Sequence, residues 1–344
     1  MRKLLNTLYI TSSDRYLHLD GENVVIIEDN KEIGRIPLHN LESIITFGFQ
    51  GASPALMGKC AQRGVSLNFM TSSGRFLASV VGAPTGNVLL RKEQYRISDN
   101  VEQCCPIAKA MLIGKIYNSK WIIERFTRDH FLQVDVNELK KVSKELSKEL
   151  KRISTEKMSL DELRGVEGYS ASIYFDVFDQ LILHKKEHFS LIERTRRPPR
   201  DRVNAMLSFL YTVLANDCAA ALTSVGLDPF VGFLHRDKPG RKSLALDLME
   251  EFRPVLVDRL VLSLINKRMI EEGDFEEKEN GSILMKDDCK KKIISAWQEK
   301  KKEIIKHPFT EEKVPWGLLP FIQSQLLARY IRKDLDGYPV FLWK

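Results

Sequence analysis

The spacing of apolar residues changes near residue 90, and this change constrains the fold more than any other feature. Before it, apolar residues fall in short β-type segments such as 22–29 and 43–48, separated by turn pairs such as Asp20-Gly21. After about residue 92, long stretches have helical spacing and few glycines. We therefore predict an α+β protein, with a small β-rich domain over residues 1–90 and a larger all-α domain over residues 91–344.

Local signals predict individual elements. In the first domain we expect a mostly antiparallel sheet and one short helix, which begins at Ser53-Pro54 and ends at Gly64. In the second domain, residues 204–225 are apolar on nearly every face, which predicts a helix in the interior. Pro254 is expected to kink or divide a later helix.

Composition excludes several classes of protein. No stretch reaches the roughly 18 apolar residues that span a bilayer, so we expect a cytoplasmic protein that does not contact a membrane. The five cysteines show no CxxC spacing, which argues against a disulfide framework or a zinc site. HExxH, Walker A, GxSxG and GxGxxG motifs are also absent from the sequence.

Basic residues cluster around the segment RRPPRD. The net charge of the chain is +7, and residues 185–202 carry seven Lys or Arg against three acidic residues, a local excess of +4. Arginine forms bidentate contacts with phosphate, and the prolines keep this segment out of a helix. The pattern indicates a binding surface for a polyanion.

Two titratable residues lie at the edges of apolar runs. Glu167 follows Leu163 by four positions, so its carboxylate is partly desolvated and needs a cation, which Arg164 or a metal ion would supply. His235 ends the apolar run 230–234 and begins a polar loop. The alternatives are a surface ion pair between Arg164 and Glu167, and a histidine that is hydrogen-bonded to the backbone.

Three acidic residues share one turn of a predicted helix. At about 100° per residue, Asp247 lies about 60° from Glu250 and about 40° from Glu251. Their mutual repulsion requires solvent, arginines or a divalent cation, and a solvated acidic face is the alternative interpretation. With Glu167 and His235, these carboxylates form a donor set that suits Mg²⁺ or Mn²⁺.

Three blocks of sequence in one order carry a resemblance to a known family. The blocks are RGVEGYSASIYF, RRPPRDRVNAMLSFLYTVL and GLDPFVGFLHRDKPGRKSLALDLMEEFRP. Together they resemble the CRISPR-associated spacer-acquisition integrase, the first of the two universal adaptation proteins, and most closely the group of type I-C systems. The resemblance covers most of residues 1–340 and implies a β-rich domain followed by a helical catalytic domain.

The resemblance implies specific roles for the candidate residues. Glu167, His235 and Glu250 match the metal ligands, and Asp247 matches an acidic position that assists them. It leaves open whether His235 binds the metal ion or contacts a phosphate. Arg164 matches a basic residue beside the site. Charge and position, rather than motif identity, suggest four further contacts to the DNA backbone: Arg197, Arg200, Lys238 and Arg241.

The resemblance further implies the reaction and the partners. A 3′-hydroxyl of a short foreign DNA duplex attacks a phosphodiester at the edge of a CRISPR repeat, with Mg²⁺ or Mn²⁺ as cofactor. The family forms homodimers, largely through the β-rich domain, and assembles with a small second adaptation protein. The same residues also allow two alternatives: a structure-selective metal-dependent nuclease and a non-catalytic DNA-binding scaffold.

Overall fold

The computed structural model describes residues 6–71, 76–80, 88–195 and 198–344. The chain forms two compact units: Met1–Thr85 with Met285–Lys302, and Gly86–Leu284 with Glu303–Lys344. The predicted boundary at residue 90 lies near this division. Residues 285–302, which the sequence assigned to the helical domain, belong to the first unit.

Within its described residues, the first unit contains two sheets and two α-helices. Its strands are β1 (Thr7–Ile10), β2 (Tyr16–Asp20), β3 (Asn23–Glu28), β4 (Lys31–Pro37), β5 (Ser43–Phe47), β6 (Ser66–Met70) and β7 (Phe76–Val80). Its helices are α1 (Pro54–Arg63) and α9 (Asp287–Lys302). Strands β2, β3 and β4 form an antiparallel sheet, and the other four form a sheet in the order β1-β5-β6-β7.

Three of the five described strand pairings in this unit are antiparallel, as predicted for a mostly antiparallel domain, but the four-stranded sheet is mixed. Strands β1 and β6 both run parallel to β5, and only β7 is antiparallel to its neighbour. The reason is the connection between β5 and β6, because α1 crosses over the sheet and allows consecutive strands to run in the same direction. Helix α1 itself is confirmed: the Ser53 side chain accepts a hydrogen bond from Leu56 N, and Gly64 ends the helix with φ of 69°.

The second unit is mainly helical. Its helices are α2 (Val88–Ser98), α3 (Val101–Asp129), α4 (Val136–Thr155), α5 (Leu160–Asp176), α6 (Arg202–Ser224), α7 (Ser243–Met249), α8 (Arg259–Asn266) and α10 (Leu319–Ile331). Two small hairpins are also described: β8 (Phe275–Glu277) pairs with β9 (Ile283–Met285), which ends at the boundary of the unit, and β10 (Ile304–Lys306) pairs with β11 (Lys313–Pro315). The α+β class is therefore confirmed.

Helix α6 forms the centre of the second unit. Among the described residues it is the one helix long and apolar enough to cross a membrane, but 72% of its apolar window is buried within the protein, as in a core helix. The predicted interior helix is thus confirmed. The predicted division at Pro254 is also confirmed, because a π-helical segment, Arg253–Asp258, separates α7 from α8.

A buried carboxylate joins this π-helical segment to α5 and α6. Asp258 accepts hydrogen bonds from the hydroxyls of Tyr174 at 3.1 Å and Tyr211 at 2.5 Å. Burial raises the pKa of the Asp258 carboxyl to about 6, although the two tyrosines and the charge of Arg253 oppose this change. The folded protein therefore retains a proton on Asp258 in a pH range where the unfolded chain has lost it.

This difference predicts a pH dependence of stability. Because the pKa is raised on folding, the stabilising contribution of Asp258 is fully present below about pH 4 and is lost as the pH rises through about 6. Relative to Asp258→Asn, the wild-type free energy of unfolding should fall by about 2–3 kcal/mol between these pH values. Urea unfolding at a series of pH values measures this difference. The exposed Asp99→Asn change is the control, and parallel curves for wild type and Asp258→Asn would contradict the prediction.

Candidate active site

One buried carboxylate holds the loop that carries His235. Asp247, on α7, accepts backbone hydrogen bonds from Phe233 at 2.6 Å, Leu234 at 2.9 Å and His235 at 2.9 Å. The Nδ1 atom of His235 also lies 2.5 Å from Asp247 Oδ1. Gly232 makes this approach possible, since a Cβ atom there would lie 2.8 Å from Asp247 Oδ2.

The contact with Asp247 sets the tautomer of His235. Nδ1 faces a carboxylate and therefore carries a hydrogen, so Nε2 holds the lone pair of the neutral ring. Burial alone would lower the pKa of His235, but the hydrogen bond to Asp247 and the charges of Asp247 and Glu250 outweigh burial and raise it. A backbone-bonded histidine, the alternative interpretation, is therefore wrong: the ring is oriented by a carboxylate.

Glu250 lies directly after α7 and is almost completely buried. Its Oε1 accepts a hydrogen bond from Arg253 at 2.8 Å. Its Oε2 lies 2.8 Å from the ammonium of Lys115 on α3, but among the described residues it receives no well-directed hydrogen bond. Burial would raise the pKa of Glu250, and the positive charges of Arg253, Lys115 and His235 instead hold it far below its usual range.

Lys115 also joins Glu250 to Glu167. Its ammonium donates a hydrogen bond to Oε1 of Glu167, on α5, and its side chain is only 9% exposed. The Glu167 side chain is 30% exposed and lies at the solvent edge of the group. The structure thus brings Glu167 and Glu250 together around one cation, and the ring of His235 is bound to Asp247, three residues before Glu250.

The expected ion pair between Arg164 and Glu167 is wrong. Arg164 instead donates one hydrogen bond to the Leu234 carbonyl at 2.8 Å and another to Asp161 at 2.6 Å. Because Leu234 precedes His235, Arg164 attaches the histidine loop to α5. Its guanidinium side chain remains 29% exposed.

The three neighbouring acidic residues Asp247, Glu250 and Glu251 have different partners. Asp247 and Glu250 face the histidine loop and Lys115, whereas Glu251 faces the end of the chain. Its carboxylate accepts hydrogen bonds from Gln323 at 2.9 Å, the Tyr338 hydroxyl at 2.5 Å and Phe341 N at 2.8 Å. Burial raises the pKa of Glu251 to about 7 despite these bonds. The alternative of a solvated acidic face is therefore wrong, since all three side chains are buried.

The C-terminal segment fastens α3 beside the site. The Asn118 amide donates to the carbonyls of Glu251 at 2.7 Å and Phe341 at 2.9 Å, and its oxygen accepts from Trp343 N at 2.9 Å. Gly114 permits the close contact, because a Cβ atom there would lie 2.4 Å from a methyl group of Val340. Lys115, between these two positions, is therefore held against the turn that carries Glu250.

The residues predicted to contact DNA differ in their surroundings. Arg200 and Lys238 are exposed, and Arg241 is half-buried, with Nε 3.4 Å from the Ser243 hydroxyl. Arg197 lies outside the described residues. Within the basic cluster, Arg194 donates its hydrogen bonds inside the protein, to Asn204, to Ser208 and to the carbonyl of Thr195. Arg200 is thus the exposed arginine of this cluster within the part that the structure describes.

The donor set fits a divalent cation. Glu250 supplies a buried oxygen that has a charge contact but lacks a directed hydrogen bond, and His235 supplies Nε2 from a ring oriented by a carboxylate. Glu167 supplies a third donor at the solvent edge. The described residues contain no group of three His, Cys, Asp or Glu side chains placed to hold a metal ion. In this structure the ammonium of Lys115 lies between the two carboxylates instead.

Lys115 and Arg253 are the site residues that the sequence prediction missed. A usable signal exists for Lys115, because it falls on the apolar stripe of α3 formed by Ala108, Met111 and Leu112. A lysine in such a position is almost never buried without a charged partner. For Arg253, the spacing of three residues from Glu250 is the corresponding signal.

Comparison with known proteins gives consistent similarities. Residues 8–299 match the family described as CRISPR associated protein Cas1. The chain is 48% identical over 347 residues to the CRISPR-associated endonuclease Cas1 2 of Rhodospirillum rubrum, and 100% of each chain is covered. A casposase bound to integration product has a TM-score of 0.83 at 25% identity, with 98% of this chain and 94% of the casposase chain covered. A chain of a Cas6-RT-Cas1–Cas2 complex, at 22% identity, shares the fold with a TM-score of 0.82 over 98% of this chain and 36% of its own.

Replacing Asn118 by alanine should destabilise the second unit. The change leaves two buried carbonyls and one N–H without the amide that they contact, so we expect a loss of about 2–4 kcal/mol in the free energy of unfolding. Denaturant unfolding measures this loss. Asn137→Ala, at an exposed position of α4, should change the free energy by less than about 0.5 kcal/mol. Equal stability of both variants would contradict the proposed fastening.

Proposed function

The chain belongs to the Cas1 family of CRISPR-associated proteins, and we propose that it joins DNA with a divalent cation held by Glu167, His235 and Glu250. Its general function is that of a spacer-acquisition nuclease and integrase, which inserts short foreign DNA into a CRISPR array. The observation that carries the proposal is the meeting of Glu167 and Glu250 around one cation, with His235 held by Asp247 three residues before Glu250.

The proposed cofactor is Mg²⁺ or Mn²⁺. Two carboxylates and one imidazole, without a cysteine, are donors that these ions accept. When bound, the ion supplies positive charge beside the attacked phosphate and the entering oxygen. Asp247 accepts four hydrogen bonds already, so we assign it the task of orienting His235 rather than coordination.

The proposed reaction is a transesterification. A 3′-oxygen of the foreign duplex loses its proton and forms a bond to phosphorus, and the bond from phosphorus to the 3′-oxygen of the adjacent repeat nucleotide breaks. That leaving oxygen takes up a proton. Glu167 lies at the exposed edge where DNA arrives, Glu250 lies below it, and Arg164 holds the His235 loop in position. The chain supplies alignment of the two DNA groups and needs no covalent intermediate.

DNA is the proposed substrate on both sides of the reaction: a protospacer duplex and a CRISPR repeat. Arg200, Lys238 and Arg241 are the proposed phosphate contacts, and the exposed edge of Arg164 lies beside the site. A phosphate contact of Arg197 is predicted from its charge alone. The neighbour from a Cas1–Cas2 complex supports a small second adaptation protein as partner. We also propose a cytoplasmic homodimer that associates through the β-rich unit.

Removing a proposed ligand should strongly slow DNA joining, and Glu167→Gln, at the solvent edge of the group, should leave DNA binding and folding intact. We expect Glu167→Gln, His235→Ala and Glu250→Gln to lower the joining rate at least about 100-fold, since each removes a group that holds the cation. A labelled duplex incubated with supercoiled plasmid containing the repeat measures joining. Asp176→Asn, an exposed carboxylate on α5, is the matched control for Glu167→Gln. Full activity of Glu167→Gln would remove this residue from the mechanism.

The same assay separates the proposal from its alternatives. An integrase transfers the label covalently to the plasmid, whereas a structure-selective nuclease only shortens the labelled strand. A non-catalytic scaffold does neither, although it binds the duplex.

Loss of a phosphate contact should weaken binding and reduce its salt dependence. For Arg200→Ala and Lys238→Ala, we expect the slope of log K against log salt concentration to fall by about one for each contact. Fluorescence anisotropy of a labelled duplex over a salt series measures the slope. Arg35→Ala is the control, because this guanidinium is already paired with Asp20 and Glu32. Unchanged slopes for both variants would exclude them as phosphate contacts.

A further inference from the structure

Lys115 has the position that a bound cation would be expected to take. Its ammonium contacts Oε1 of Glu167 and lies 2.8 Å from Oε2 of Glu250, and these are two of the three proposed metal ligands. The contact with Glu250 lacks the direction of a good hydrogen bond. The ammonium therefore acts here mainly as a positive charge, which is the property that it shares with a metal ion.

A charge is required at this point whether or not a metal ion is bound. Two carboxylates that approach each other repel strongly, most of all where one of them, here Glu250, is buried. Arg253 occupies only Oε1 of Glu250. Without Lys115, the remaining Oε2 and the neighbouring Glu167 would face each other without an intervening cation in the metal-free protein.

The backbone at Lys115 is fixed by its neighbours, but a small cavity offers its side chain a second position. Helix α3 is held on either side of Lys115 by Gly114 and Asn118. A cavity of about 10 Å³, enough for about one water molecule, has Lys115, Ser170, Arg253 and Asp258 among its lining residues. Ser170 Oγ is buried there without a hydrogen-bond partner among the described residues. An ammonium group is similar in size to water and would find this hydroxyl as an acceptor.

We propose that Lys115 is a built-in counter-ion, which neutralises Glu167 and Glu250 in the metal-free enzyme and turns toward Ser170 when a divalent cation binds. The inference rests on the proposed metal site. It makes Lys115 a positioning residue that competes with the cation. Lys115 keeps the carboxylates together before loading, and it lowers the apparent affinity of the site.

Metal affinity, rather than activity, tests the proposal. Isothermal titration calorimetry with MnCl₂ should show that Lys115→Met binds Mn²⁺ at least tenfold more tightly than wild type, because no ammonium has to be displaced. Differential scanning fluorimetry should show a lower Tm for metal-free Lys115→Met than for wild type, and a larger rise on addition of Mn²⁺. Lys109→Met is the matched control on α3, because its ammonium contacts a backbone carbonyl instead of a carboxylate.

A second variant tests the movement even if metal-free Lys115→Met does not fold. Ser170→Val fills the cavity and should weaken Mn²⁺ binding several-fold, whereas Ser170→Ala, which adds no volume, should weaken it less. In the Lys115→Met background, purified with Mn²⁺ if necessary, Ser170→Val should have no effect on the affinity.

The outcomes separate this inference from the proposed function. If Lys115→Met binds Mn²⁺ no more tightly than wild type while Glu250→Gln loses binding, the counter-ion proposal is overturned and the metal site stands. If neither wild type nor Lys115→Met binds Mn²⁺, both proposals are overturned. A Ser170→Val effect that persists without Lys115 would overturn the proposed movement.

Discussion

Glu250 is a carboxylate removed from water, and the need to neutralise it organises the second unit. A buried charge is tolerated only where opposite charge and hydrogen bonds replace its hydration. The π-helical segment after α7 supplies Arg253, and α3 supplies Lys115 from 135 positions earlier in the chain. The same lysine reaches Glu167 on α5. The π-helical segment, α3 and α5 thus meet at Glu250, because each contributes a charged side chain to the same group of ion pairs.

The neighbours of Glu250 show how one turn serves several purposes. Asp247 fixes the loop and the ring of His235, and Glu251 binds the C-terminal segment, which in turn holds α3 beside the site. The consecutive residues Glu250 and Glu251 therefore connect the proposed metal site to the C-terminal segment that holds α3. A chain that joins DNA needs this rigidity, because its contribution to the reaction is the alignment of two DNA groups.

Much of the scaffold is predictable from the sequence because its signals are local. The cap at Ser53 and the left-handed Gly64 determine both ends of α1, and Pro254 determines where α7 and α8 separate. The parallel pairing of β5 with β6 was missed, since strand alternation does not reveal direction. It depends on the crossover of α1, which the predicted helix at 54–63 already implied.

The candidate site is predictable in part, for a different physical reason. Glu167, His235 and Glu250 carry recognisable local patterns, but their partners lie far away in sequence. The partner of Glu167 is Lys115 rather than Arg164, three positions before it, and Glu251 binds residues near the end of the chain. Local spacing predicts that a buried charge needs a partner, and only the tertiary structure identifies that partner.

The proposed reaction depends on one divalent cation held by Glu167, His235 and Glu250. An anomalous difference map from crystals soaked in MnCl₂ tests this arrangement. We expect one strong peak within coordination distance of the two carboxylates and of His235 Nε2. A peak bound by other side chains, with Lys115 still between Glu167 and Glu250, would contradict it.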